Sequence, residues 1–347
     1  MMRKYISVIT LSASAALCLG VNAAQAETLY VGGGGGSIEQ IFKEKIIPSF
    51  EAKTGAKVVY VPGNSTDTLA KIQAQKGNQQ MSFVMFDHLP MYQAASQGLC
   101  SKLDDSEIYH KLYSKALTKD GSFVGIGFLA TGLGYNTEVF AKNGWSAPTS
   151  WMDLVDGKYK QSIAIPPITN GYGLATLLMM AKLNGGSENK IEPGFDVMVN
   201  KVSPNVVSWE PSPGKMAEML QTGEAAMVVW GNSRVQAVKN QGAPVEFVYP
   251  KEGAFAIINS GCVVEGGPSP KLGQQFLRHI LSAESQLALA SGEGWGPVNK
   301  DVKLPEDVAK RVIYGADQVD ALLSTDAELV NTKRAEWTTR WNRSVEH

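Results

Sequence analysis

The sequence predicts an α/β protein built as two lobes, each a sheet flanked by helices. Three observations carry this. Downstream of its N-terminal segment the chain is about 320 residues long, past the size at which one core keeps growing, so two lobes of about 150 residues are expected. Short β-prone runs alternate with segments of helical periodicity, the pattern of parallel strands under covering helices. A long uncharged stretch at 125–136 and an apolar run at 255–264 read as the chain crossing between lobes and returning.

Taken in order, Arg3 and Lys4, an apolar run over 6–21 and Ala24-Gln25-Ala26 form the pattern of a signal peptide over 1–26, cleaved after Ala26. Cys18 follows Leu17, where a lipobox wants a small side chain. No later segment approaches the roughly 20 apolar residues that span a bilayer, so the mature chain is expected in water. Losing Arg3 and Lys4 takes the formal charge from −1 to −3, too mild for a nucleic-acid or polybasic membrane binder. Cys100 and Cys262 remain; a disulfide and two separate buried thiols are both open readings.

The mature start is a strand at 28–31, then a glycine run at 32–36. Ser37 with Gln40 has the spacing of a capping box, and Ile38, Ile41, Phe42 and Ile46 form one face of the helix that follows, towards Phe50. A strand at 56–61, a turn at 62–66, a helix at 67–76, a strand at 81–86 and a helix at 91–97 repeat the pattern. Residues 125–136 are expected as a strand pair. The second region reads as a helix opening at Trp151, strands at 162–165, 225–230 and 245–249, and helices at 173–183 and 215–222. Residues 255–264 form the return, interrupted at Asn259-Ser260-Gly261; 272–291 form one long amphipathic helix, and Trp337 and Trp341 share a helical face near the end.

Several phrases resemble a known family. They are Ile47-Pro48-Ser49-Phe50-Glu51-Ala52-Lys53-Thr54-Gly55, residues 67–74 followed by Lys76-Gly77-Asn78, Gly132-Leu133-Gly134-Tyr135-Asn136, Gly223-Glu224-Ala225-Ala226-Met227-Val228-Val229-Trp230 and Gly292-Glu293-Gly294-Trp295-Gly296-Pro297-Val298. In this order they resemble the family 1 extracellular solute-binding proteins of ABC importers, in the branch of polyamine, opine, thiamine and iron receptors. The resemblance covers essentially the whole mature chain. It implies a two-lobed periplasmic-binding-protein fold joined by a hinge, lobe one at 27–130 and 260–310 and lobe two at 131–259 and 311–347. It further implies a monomer in the periplasm, without cofactor, that closes on a small-molecule ligand and delivers it to a membrane permease. In open α/β sheets ligands sit beyond the carboxyl ends of strands, which agrees.

Candidate ligand contacts follow. Gly34 and Gly35 let the backbone approach a ligand ahead of a helix N-terminus, or form a plain turn; as a dinucleotide fingerprint the run is weak, because the third glycine falls on Ser37. Asn64 and Ser65 occupy the matching place after the second strand, and also suit helix capping. Asp87 ends the third strand, where a carboxylate could hold a ligand ammonium or shape a turn. Thr131 lies in the crossing, and Asn170 and Tyr172 in a turn that resembles the family's ligand-binding turn. Trp209 with Glu210, and Trp230 with Asn232, pair an indole with a polar group at strand ends, although one indole fits plain core equally. Arg234 could fork onto a ligand carboxylate or sit exposed on a helix. Asn259 and Ser260 lie at the return crossing, and Trp295 in the last family phrase.

The polyamine receptors resemble one another in carrying a Trp and an Asp where this chain has Ile257 and Asn259. Without that carboxylate a diammonium ligand depends on Asp87, Glu210 or Glu293, because an unpaired buried ammonium is costly. The sequence therefore favours a zwitterionic or hydroxylated nitrogen compound, an opine or amino-acid derivative, with a polyamine as the alternative. No adjacent tyrosine pair is present, which counts against iron. For an exported enzyme the sequence offers little: it has no metal-hydrolase, serine-hydrolase or dithiol motif, and its histidines, His88, His110, His279 and His347, are scattered. A chemoreceptor ligand protein that signals without transport would read the same way.

Overall fold

The structure, a computed structural model, describes residues 26–323 and 326–346. The expected signal peptide therefore lies outside the described residues except for Ala26. Nine strands form among the described residues: β1 (Thr28–Gly33), β2 (Lys57–Pro62), β3 (Phe83–Phe86), β4 (Val124–Asn136), β5 (Ile163–Ile165), β6 (Val206–Trp209), β7 (Met227–Gly231), β8 (Val245–Val248) and β9 (Phe255–Val263). Their hydrogen-bonded order is β2-β1-β3-β9-β4-β7-β5-β6, with β8 on β4. Within this path β1 is parallel to β2 and β3, and β5 is parallel to β6 and β7. The antiparallel pair β4 and β9 runs between the two parallel groups, joining β3 on one side and β7 on the other.

Among the described residues the buried apolar side chains form four clusters, of which the two larger serve as first and second core. Leu29, Phe42, Phe50, Phe83, Phe128 and Phe276 pack in the first, and Phe140, Trp151, Tyr159, Phe195, Trp337 and Trp341 in the second. Trp337 and Trp341 do share a buried face, on the helix Ala327–Ser344, and the Trp341 indole N–H donates to Glu346 Oε1 at 2.6 Å. Ile313, Val319 and Leu322 pack in the first core and Val330 in the second, with Leu323 bridging to Phe255 between them. Among the described residues no helix is long and apolar enough to cross a membrane.

Several local expectations are corrected. Ser37 forms no capping box: Gly36 takes the N-cap position with φ 77° and ψ −135°, so Ser37 is already helical and one residue too late to cap. That helix continues through a π-helical segment, Phe42–Ile46, into Ile47–Thr54, where Gly55 ends it in the left-handed conformation. Residues 125–136 are one continuous strand, not a pair, because β9 supplies the partner. Asn259, Ser260 and Gly261 do not interrupt β9; they pair with β4 or β3, and Gly261 leaves room for the Phe83 ring. Trp151 opens a 3-10 turn. The segment 272–291 is split into Pro270–Ile280 and Ala283–Glu293, because Ser282 turns out and caps the second helix by accepting from the Ser285 N–H.

Cys100 and Cys262 are joined by a disulfide across 162 residues of chain. Closing so long a loop restricts the unfolded ensemble, which in the chain-entropy account stabilises the fold by roughly 2–5 kcal/mol. The urea midpoint of the Cys100→Ala, Cys262→Ala protein is expected to fall accordingly; a midpoint equal to wild type would remove the bond from the stability account.

Candidate functional site

A cleft of about 1180 Å³ opens where the carboxyl ends of the two parallel groups face each other. Gly34 and Gly35 follow β1, Asn64 and Ser65 follow β2, and Asp87 follows β3. Opposite them, Asn170 and Tyr172 follow β5, Glu210 follows β6, and Trp230 and Arg234 mark the end of β7. Leu129 of β4 with Ile257 and Asn259 of β9 form the floor, and Trp295 closes the wall. Leu89, from the helix His88–Ser96 of the first group, packs against the second core and bridges one rim.

The cleft glycines and caps have distinct jobs. Asn64 Oδ1 accepts from the Asp67 N–H at 2.8 Å, and Asn170 Oδ1 from the Tyr172 N–H at 3.0 Å, so both amides pin helix starts at the cleft edge. Gly127 is needed for close approach: a Cβ there would lie 2.5 Å from the Trp295 ring, which covers β4 at this point.

Asp87 occupies the N-cap position of His88–Ser96 yet makes no side-chain cap. Its Oδ2 accepts from the Ser65 hydroxyl at 3.1 Å, and Ser65 Oγ in turn accepts from the Asp87 N–H at 3.1 Å, which turns the carboxylate towards the cleft. The carboxylate keeps accessible surface, but protein surrounds it from both sides, so water screens it poorly. That enclosure pushes its pKa up, with Ser65 and Arg234 opposing. Burial likewise raises Glu293, opposed by the Ser37 hydroxyl and Arg234. Tyr172 is raised by burial, with the Arg234 guanidinium beside its hydroxyl pulling the other way. Arg234 is exposed to the cleft, and no carboxylate among the described residues comes within salt-bridge distance of it. Burial lowers His88 to about 4, so it is neutral at pH 7, stacked edge-on against Tyr92.

Four expected contacts lie elsewhere. Ser260 is on the opposite face of β9 from Asn259, as strand alternation requires, with its hydroxyl on the Ile258 carbonyl. Thr131 is fully buried where β4 runs between β7 and β9, with no partner for its hydroxyl among the described residues. Trp209 packs edge-on against Trp341, ring centroids 5.0 Å apart, in the second core. Asn232 is a cross-tie: its Oδ1 accepts from the Ala130 N–H, and its Nδ2 donates to the Gly294 and Arg311 carbonyls. In their place the cleft gains His88, Leu89, Arg311 and Arg334. Arg334, on the C-terminal helix, donates to the Thr169 carbonyl at 2.7 Å and backs the Asn170 turn.

Residues 45–316 match the model of the bacterial extracellular solute-binding proteins, and the chain belongs to that family. A Salmonella typhimurium spermidine/putrescine-binding periplasmic protein is 24% identical over 343 residues, covering 94% of this chain and 92% of its own. A Salmonella typhimurium protein provisionally named as a 2-aminoethylphosphonate-binding periplasmic protein is 24% identical over 266 residues, 73% of each chain. Among solved structures, an ABC transporter protein from Clostridium perfringens superposes with a TM-score of 0.79 at 26% identity, covering 91% of this chain and 99% of its own. The fold is the two-lobed one of periplasmic binding proteins, and the chain is a transport receptor of an ABC importer, not an enzyme.

Proposed function

We propose that the receptor captures a small zwitterionic nitrogen compound in the cleft, an opine, amino-acid derivative or similar solute, by hinge closure of two lobes. The observation that supports this is the mixed charge of the inner cleft: Arg234, without a carboxylate in contact, faces Asp87 and Glu293. A guanidinium suits the solute's anion and a carboxylate its ammonium, and each poorly screened charge gains from a partner. Trp230, Tyr172 and Trp295 supply flat walls. A volume of about 1180 Å³ suits an organic solute with its waters rather than a bare ion. The polyamine alternative lacks a role for Arg234, which would repel a diammonium. The protein acts as a periplasmic monomer, exported by the cleaved segment 1–26, with lobe two drawn mainly from residues 131–259 and the C-terminal helix.

A thermal-shift screen of opines, amino acids, 2-aminoethylphosphonate, putrescine, spermidine and sugars tests this. Ligand at about 100 times its Kd stabilises the native state by about 2.7 kcal/mol. A shift with zwitterions is expected; a shift with sugars or diamines alone would refute the proposal. For a bound zwitterion, affinity is expected to weaken as pH falls. Asp87 and Glu293 must be ionised to meet the ammonium, and both carboxyls are raised, so the loss sets in at higher pH than for exposed carboxylates. Calorimetry between pH 7.5 and about 5 would read it.

A further inference from the structure

We propose that Glu293, alongside Asp87, binds the solute's protonated amine and sets the selectivity for it, an inference that rests on the zwitterion reading above. Glu293 is the last residue of the helix Ala283–Glu293, followed by Gly294 with φ 69°. A carboxylate there meets the negative end of the helix dipole, where an acid is disfavoured. Its Oε1 is buried and has no hydrogen-bond partner among the described residues, while the residue itself lines the cleft. The end of its helix is tightly packed: a Cβ on the preceding Gly292 would lie 2.3 Å from Ile41 Cδ1, so this end is pressed onto the helix Ser37–Ile41. Ser37 and the more distant Arg234 offset part of the charge.

An anion with one buried, donorless oxygen, at the unfavourable end of a helix, is under-compensated. The remaining compensation has to arrive from the cleft, where a ligand ammonium has access. Glu293 thus selects for a cationic nitrogen, and the fold bears its charge in the absence of solute.

The test uses isothermal titration and melting curves on wild type and Glu293→Gln. The probes are matched pairs of a zwitterion and its amine-free analogue: 2-aminoethylphosphonate against ethylphosphonate, and β-alanine against propionate. Wild type is expected to prefer the amine-bearing member of at least one pair, and Glu293→Gln to lose roughly 10–100-fold in affinity for it, with no loss for the partner lacking that amine. Its melting temperature is expected to stay level or rise, since a poorly compensated charge has gone. Equal affinity of the variant for the preferred amine would overturn the role of Glu293 and leave the zwitterion reading standing. No amine preference in wild type would overturn both. A lowered melting temperature with amine preference retained would assign Glu293 a structural role instead.

Discussion

Replacing Arg234 with alanine is expected to weaken binding of the zwitterionic solute by about 2–4 kcal/mol, roughly 30–1000-fold, while the melting temperature of the free protein hardly moves. Affinity falls because the solute's anion loses its fork, and because Asp87 and Glu293 lose the positive charge that now offsets their burial. Stability holds because Arg234 is exposed on the helix Asn232–Asn240 with no carboxylate in contact, and such surface changes usually stay within about 0.5 kcal/mol. Arg234→Lys keeps the charge but not the planar fork and is expected to fall between the two. Titration calorimetry on the three proteins decides the matter: unchanged affinity in Arg234→Ala would take this residue out of the site.

The second large effect is expected at Gly173. An added Cβ would lie 2.3 Å from the Pro166 carbonyl oxygen and 2.4 Å from that of Pro167, both backbone atoms that cannot swing aside. Gly173→Ala must therefore push the helix Gly171–Leu183 away from its incoming loop. That helix is buried throughout from Gly173 to Ala181, so the cost is of the overpacking kind, roughly 3 kcal/mol, or about 6–12 °C in melting temperature. Because Asn170 and Tyr172 ride on the same turn, solute affinity is expected to drop with stability. Gly171→Ala is the control: the nearest atom to its Cβ is Ile257 Cδ1 at 4.0 Å, and its melting temperature is expected to match wild type.

Much of this was legible in the sequence, for reasons that differ by residue. The strand–turn–helix units announce themselves locally, so Gly34, Gly35, Asn64, Ser65, Asp87, Asn170 and Arg234 could be placed beyond strand ends before their neighbours were known. The misses are long-range. Whether Trp209 is wall or core is decided by Trp341, and the role of Asn232 by Ala130, Gly294 and Arg311. Arg334 reaches the cleft only because the final helix returns to the Thr169 turn. Ser260 was within reach of a local rule, since the alternation of β9 assigns Ile257 and Asn259 to one face and Ser260 to the other. The fused crossing of β4 and β9 was half visible: both runs stood out as strands, but their mutual pairing made each longer and more regular than its glycines suggested.

Cys100 and Cys262 both sit in the first half, next to the pairing of β3 with β9, and the intervening 101–261 include nearly all strands of the second. The segment 101–261 is therefore a covalently closed loop, clasped at its neck. A protease nick anywhere within it leaves the fragments tethered until a reductant is added.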